Sequence, residues 1–249
     1  METQLARPAF LQSDGPVLLQ GAMDMEIRPY VEALQDPVKT VLGDFVFWQG
    51  RLGRQRAVLS RTGIGTAAAA AATALGCQVF RPAAILNQGS AGGYGLKARV
   101  GDLVIGTSVY NGNAVFTDKE GVRYLDLGRL EHETAAAAVF PAKPPLLEPD
   151  AAMTRWLFAG LSAYAGRVSQ GVIASSDQWN DDPDLIARRE ALTGALCEEM
   201  EAAAVVMTAA RFGVPCGLVR VLSNNNRTGQ PFDPAVCGKL AAAVCRLFA

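Results

Sequence analysis

Residues 197–223 read CEEMEAAAVVMTAARFGVPCGLVRVLS, and the second half of this stretch decides the fold. The Ala/Val run behind Glu201 has the composition of a buried helix, with Gly213 and Pro215 as its stop signals. PCGLVRVLS (Pro215 to Ser223) then reads as a strand that is apolar almost throughout. A strand of that kind is covered on both faces, which belongs to sheets flanked by helices.

The same alternation extends in both directions. PVLLQGAM (Pro16 to Met23), FVFWQGRL (Phe45 to Leu52) and RAVLSR (Arg56 to Arg61) read as strands. Gly63 and Gly65 lead into TAAAAAATALG, a helix by propensity with its stop at Gly76. PAAILNQGS (Pro82 to Ser90), DLVIGTSVY (Asp102 to Tyr110) and QGVIAS (Gln170 to Ser175) are further strands. Helices are expected over residues 151–165 and 234–248. Residues 111–149, with prolines at 141, 144, 145 and 149, carry the least pattern and predict long loops over one face. No linker, repeat or low-complexity tract interrupts the chain beyond the alanine-rich helix. The expectation is an N-terminal extension over 1–15, then one α/β domain over 16–249. That domain is an α/β/α sandwich on a mixed, largely parallel sheet.

Composition narrows the chemistry. The 249 residues are 50% apolar with a formal net charge of -1, which gives no electrostatic reason to bind nucleic acid or a membrane surface. No apolar run reaches the ~20 residues of a membrane helix, and no secretory signal is evident. Five cysteines without a CxxC pair suit buried thiols in a reducing cytoplasm. His132 is the sole histidine and sits in polar RLEHETAA, so a Ser-His-Asp or Cys-His device would have to use that surface residue, and a multi-histidine zinc site has no material. The chemistry falls to carboxylates.

Glu198, Glu199 and Glu201 crowd Met200 at the mouth of that apolar helix. The helix dipole favours carboxylates there, and a solvated first turn with a capping glutamate is one reading. Buried carboxylates otherwise cost several kcal/mol, roughly, unless paired, and a polyhydroxylated ligand such as a ribose is one such partner. Small and polar residues gather at the other strand ends too: Gly21 to Glu26, Gly63 to Gly65, Gln88 to Gly93, Ser175 to Asn180 and Arg220 to Asn226. Ligands of α/β sheets bind beyond those ends.

Taken in order, GAMDME (Gly21 to Glu26), TGIGTAAAA (Thr62 to Ala70), NQGSAGG (Asn87 to Gly93), VGDLVIG (Val100 to Gly106), SDQW (Ser176 to Trp179), EEME (ending at Glu201) and RVLSN (Arg220 to Asn224) carry a family pattern. The chain resembles the purine nucleoside phosphorylase/nucleosidase superfamily, and most closely its 5'-methylthioadenosine/S-adenosylhomocysteine nucleosidases. The resemblance implies that Glu26 orients and deprotonates an attacking water, work suited to a partly desolvated carboxylate. Arg220 is implied near that water or the ribose, with an ion pair to a glutamate as the other reading. Met200 and Glu201 match residues on the ribose, with Glu199 beside them. Ser90 and Gly92 match a glycine-rich turn against the ligand. Trp179 matches an aromatic that stacks on the base; a core tryptophan is the alternative. Asn180 matches the backbone position that reads the purine edge, and Ser223 the residue before the N7 contact.

Two departures qualify the resemblance. Asn224 stands where these nucleosidases usually carry the aspartic acid that protonates purine N7, and an amide cannot hand over a proton. General acid catalysis is worth roughly 100- to 10,000-fold, so base preference is open between adenine and a 6-oxopurine. Asp233 is the nearest downstream acid, but PFDP reads as a cap for the last helix. YNGNAVF (Tyr110 to Phe116) also lacks the His-Asp pair of many nucleosidases. Asn87 stands where the phosphorylases have a phosphate-binding arginine, leaving Arg61 and Arg220 as the candidate cations and water as the favoured nucleophile.

The resemblance thus implies a hydrolytic N-glycosidase acting on a 5'-modified purine nucleoside such as methylthioadenosine or S-adenosylhomocysteine. A 6-oxopurine nucleoside hydrolase, a phosphorylase and a nucleoside-binding protein are the alternatives. No metal or organic cofactor is implied; a cytoplasmic homo-oligomer, dimer favoured, is.

Overall fold

Strand β1 (Val17–Gly21) divides the core in two: Val17 and Leu19 pack on one face of the sheet and Leu18 on the other. Neighbouring strands repeat the alternation of period two, with Leu86 and Val219 on the first side and Ile85 and Leu218 on the second. The computed structural model describes residues 8–132 and 139–249. In it, helices α1 (Asp24–Ala33), α4 (Ala151–Gly160) and α7 (Val236–Arg246) cover the first face through residues such as Ile27, Trp156 and Leu240. Helices α2 (Thr66–Phe80) and α6 (Ala202–Phe212) cover the second. The α/β/α sandwich expected from the alternation is therefore present.

The remaining strands are β2 (Gln35–Leu42), β3 (Phe45–Leu52), β4 (Gln55–Arg61), β5 (Ala84–Gly93), β6 (Leu103–Asn111), β9 (Leu146–Leu147), β10 (Val168–Ser175), β11 (Ala195–Glu199) and β12 (Cys216–Asn224). They pair in the order β11-β10-β6-β12-β5-β1-β4-β3-β2, with β9 added to β6. Parallel pairs join β1 to β4 and β5, β5 to β12, and β10 to β6 and β11; antiparallel pairs join β6 to β12 and build the β4-β3-β2 edge. The sheet is mixed, as expected. One further pairing shapes the site: β11 also bonds β5, antiparallel, placing Glu198 beside Gly92. That contact closes β5, β12, β6, β10 and β11 into a ring.

Local signals account for most of the differences from the expected elements. Helix α2 runs past Gly76 to Phe80, and Pro82 ends it. Gly76 instead gives passage to Leu18, whose Cδ2 would lie 2.6 Å from an added Cβ. Helix α4 stops at Gly160 instead of residue 165. Strand β2 is polar and mostly exposed, and it carries Pro37, which confines it to an edge. Helix α5 (Pro183–Thr193) was not expected, although Asp182 caps it, Pro183 opens it and Gly194 ends it in the left-handed region. The 111–149 segment holds a hairpin, β7 (Val115–Asp118) and β8 (Gly121–Tyr124), and a single helical turn, α3 (Leu127–Leu130). Of the N-terminal extension, residues 1–7 lie outside the described residues, while Leu11 joins the core. His132 is exposed. No helix among the described residues is long and apolar enough to cross a membrane.

Candidate active site

A cavity of about 320 Å³ opens over the ends of β1, β5, β11 and β12. Of the residues picked out in the sequence, Glu26, Ser90, Gly92, Trp179, Asn180, Glu199, Met200, Glu201, Ser223 and Asn224 all line it. Arg220 does not.

Glu26 sits in the first turn of α1 and is only 3% exposed. Its carboxylate accepts four hydrogen bonds. Oε2 takes the backbone N–H groups of Ala22 (2.8 Å) and Met23 (3.1 Å). Oε1 takes the Ser90 N–H (2.8 Å) and the Ser90 hydroxyl (2.7 Å). Those four donors match the roughly four lone-pair sites of a carboxylate. A side chain at Gly89 would crowd this arrangement, since its Cβ would meet Glu26 Oε1 at 3.0 Å.

Arg220 corrects the expectation of a residue beside water or ribose. It lies under the site on β12, 1% exposed, with Nη2 donating to Glu199 Oε2 at 2.5 Å and Nε to the same oxygen at 3.2 Å. Its Nη1 donates to the Asn87 carbonyl at 3.1 Å, and Nη2 to the Asn87 side-chain oxygen. The residue standing where the phosphorylases have arginine is thus a hydrogen-bond partner of an arginine from the neighbouring strand. The other candidate cation, Arg61, pairs with Asp24 at 3.3 Å and is not among the residues lining the cavity.

Glu199 ends β11 instead of opening a helix, which corrects the reading of the glutamates as a helical first turn. Its oxygens nevertheless accept from the N–H groups of Glu201 (3.1 Å) and Ala202 (2.9 Å), so it caps α6 from two residues away. Glu201, 9% exposed, accepts the N–H of Gly65 at 2.8 Å. Gly65 holds φ +95 at the start of α2, and a Cβ there would lie 2.9 Å from Asp177 Oδ1, so glycine is required twice over. Burial and then the negative charge of Glu199 push the Glu201 pKa well above the ordinary carboxylate range; the Gly65 N–H and Arg220 oppose them.

That shift carries a sign. From the ordinary carboxylate pKa of about 4.3 up to its raised value, the folded protein retains a proton that the unfolded chain has released. Stability therefore falls as pH rises through this interval. Affinity for a diol that donates to the anion rises over the same interval, by up to about tenfold per pH unit. Titration of such a ligand in buffers of different ionisation enthalpy should show a proton released on binding at the lower pH. A binding constant flat with pH would remove Glu201 from the ligand.

At the other end of the cavity Trp179 is 70% exposed and stands 6.5 Å from Phe232, ring centroid to centroid, at the mouth. It is a rim residue and not a core tryptophan. Asn180 is already engaged: its carbonyl accepts from Asn226 Nδ2 at 2.8 Å, and its side chain donates to Glu198 Oε2. Asn224 accepts from Ser223 Oγ at 3.1 Å and donates to Asn226 at 2.9 Å. Asp233 accepts from the Ala235 N–H at 2.9 Å just before α7, as a cap would. Ala22, Met23, Ile64, Ala91, Gln178, Glu198 and Phe232 complete the lining without having been singled out as site residues by the sequence. Most of these lie inside segments the sequence had marked, such as GAMDME, SDQW and EEME, whereas Phe232 lies outside them.

Comparison with known proteins gives the family of the chain. Residues 16–248 match the model of the phosphorylase superfamily. A 5'-methylthioadenosine/S-adenosylhomocysteine nucleosidase of Psychromonas ingrahamii is 35% identical over 210 residues, 82% of this chain and 83% of the relative. The Aeromonas salmonicida protein of the same name is 32% identical over 206 residues, 82% of this chain and 84% of its own. Among solved structures, the Neisseria meningitidis nucleosidase in complex with methylthio-immucillin-A superposes with a TM-score of 0.76 at 26% identity, covering 93% of this chain and 97% of that one.

Proposed function

Because the chain belongs to the phosphorylase superfamily, we propose that its cavity hydrolyses the glycosidic bond of a purine ribonucleoside, with Glu26 activating the water. The observation that carries hydrolysis over phosphorolysis is what fills the anion site. The N–H groups of Ala22, Met23 and Ser90 converge as a nest for a negative group, and Glu26 occupies it. Phosphate would have to displace a buried carboxylate, and the nearest buried cation, Arg220, is committed to Glu199 and Asn87. A neutral water pays no such electrostatic penalty.

In the proposed reaction the water oxygen bonds C1' as the C1'–N9 bond breaks, and the bonding pair leaves with the base. Glu26 takes the water proton. Of its four donors only the Ser90 hydroxyl turns about a single bond, so rotation of Ser90 frees the lone pair that receives it. Glu201 accepts from the ribose hydroxyls, and its charge stabilises the positive sugar of the transition state. Trp179 covers the base, and Asn224 donates to N7 of the departing purine, which draws its proton from solvent. A 5'-substituted nucleoside of the kind named in the relatives, methylthioadenosine or S-adenosylhomocysteine, supplies the scaffold. A second reading keeps the reaction and changes the base. Asn224, an amide that cannot protonate N7, favours a 6-oxopurine, as in inosine or futalosine. The enzyme is read as a cytoplasmic homo-oligomer.

The test is base release from methylthioadenosine, S-adenosylhomocysteine, adenosine, inosine and futalosine, each with and without inorganic phosphate. Release at the same rate in both conditions, with free ribose-type sugar as co-product, is expected. A sugar 1-phosphate, or dependence of the rate on phosphate, would refute hydrolysis.

A further inference from the structure

Glu198 lines the cavity, yet nothing in the proposed reaction uses it. It arrives there through the ring closure of the sheet. At the end of β5, Gly92 is flanked by Glu198 of β11 on one side and Asn224 of β12 on the other. A Cβ on Gly92 would lie 3.6 Å from both Glu198 Cγ and Asn224 Nδ2. The missing side chain therefore leaves a slot walled by a carboxyl group and a carboxamide, with outer strands about 10 Å apart by sheet spacing. A flat heterocycle standing in that slot meets one of them at each side.

The carboxyl group is held deliberately. Tyr94, whose ring is fully buried, donates its hydroxyl to Glu198 Oε2 at 2.8 Å. Asn180 Nδ2 donates to the same oxygen, and the Arg189 guanidinium stands 3.7 Å from it. Burial raises the Glu198 pKa, while Tyr94, Asn180 and Arg189 oppose the rise. All the side-chain partners sit on Oε2, and the backbone of Asn180 also bonds the carboxyl group.

We propose that Glu198 is the specificity residue for the base: its Oε1 accepts a ring N–H from the purine edge while the Asn224 N–H not given to Asn226 donates to N7 or O6 across the slot, which selects a 6-oxopurine over adenine. The proposal rests on the purine-nucleoside reading of the cavity and decides its base. A 6-oxopurine presents acceptor, acceptor and donor along N7, O6 and N1–H. Adenine presents acceptor, donor and acceptor along N7, N6 and N1, so its N1 lone pair would face a carboxylate oxygen. Asn224 alone does not discriminate, because N7 is an acceptor in both bases; a carboxylate, which accepts and cannot donate, does. Asn180, expected to read the base edge through its backbone, instead positions the group that does.

Binding of free hypoxanthine and adenine, followed by isothermal titration, tests this without turnover. Wild type is expected to bind hypoxanthine at least about tenfold more tightly, the scale of one charge-assisted hydrogen bond. Glu198→Gln keeps the shape and offers an N–H where wild type offers an acceptor, so it should abolish or invert that ratio. Tyr94→Phe removes one of the donors that hold Oε2 and should narrow the ratio while leaving the buried ring in place. Tighter binding of adenine by wild type, binding of neither base, or equal losses for both bases in Glu198→Gln would overturn the proposal. Inosine and adenosine assays on the same samples separate it from the nucleosidase reading. Selective, Glu198-dependent base binding with no sugar released keeps the assignment of Glu198 and sinks hydrolysis. Base release with the same preference in wild type and Glu198→Gln does the reverse.

Discussion

Glu26→Gln lowers kcat by about 100- to 10,000-fold, the usual worth of a positioned general base, while nucleoside binding persists. The amide has the size of the carboxylate but cannot take the water proton. It also brings two donors into a nest that already contains donors from Ala22, Met23 and Ser90. Some loss of stability is therefore expected as well, because buried donors facing donors are unsatisfied. The two effects separate cleanly. A defect confined to chemistry lowers the single-turnover rate at saturating nucleoside in protein shown to be folded by its thermal transition. A defect of folding lowers the active fraction and leaves the rate of the remaining protein intact. A variant that retains a third or more of the wild-type single-turnover rate would remove Glu26 from the reaction.

The contrast between Glu26 and Glu198 shows what a linear sequence can carry. Glu26 lies five residues beyond Gly21, inside one strand-turn-helix unit, and its two backbone donors from Ala22 and Met23 are its own chain neighbours. That half of the arrangement is local, so the segment GAMDME already encodes it, while the two Ser90 donors arrive from a distant strand. Strand β12 and helix α6 were equally legible, because an apolar strand and an Ala/Val helix with a Gly213 stop are defined by composition and punctuation. Strand β11 was not. It is five residues long, ends in two glutamates, and runs into the helix after only Met200 and Glu201, so local propensity merges it with α6. The role of Glu198 depends on that strand reaching back to Gly92, more than 100 residues earlier. No period or cap signals a pairing of that range. Arg220 was legible in part for a related reason: an arginine inside GLVRVL calls for a glutamate partner, the ion-pair reading that holds, but that partner, Glu199, comes from another strand.

That partnership makes Arg220→Met the substitution with the largest effect on stability. Arg220 and Glu199 are both buried, with side chains 1% and 2% exposed. Methionine fills much of the arginine stem's volume, so packing changes little. Glu199 is left with the N–H groups of Glu201 and Ala202 and no counter-charge. Stranding one member of a buried ion pair costs about 3–5 kcal/mol, a large share of the roughly 5–15 kcal/mol that folds a typical domain. Adding Glu199→Gln to Arg220→Met should then recover part of the loss, since a neutral amide needs no counter-charge. Urea unfolding of the two single variants and the double variant measures this directly. If the double variant is no more stable than Arg220→Met, the pair is not what the arginine serves. Equally, if Arg220→Met folds within about 1 kcal/mol of wild type but loses turnover, the arginine acts on the ligand side after all, and the buried position assigned to it here fails.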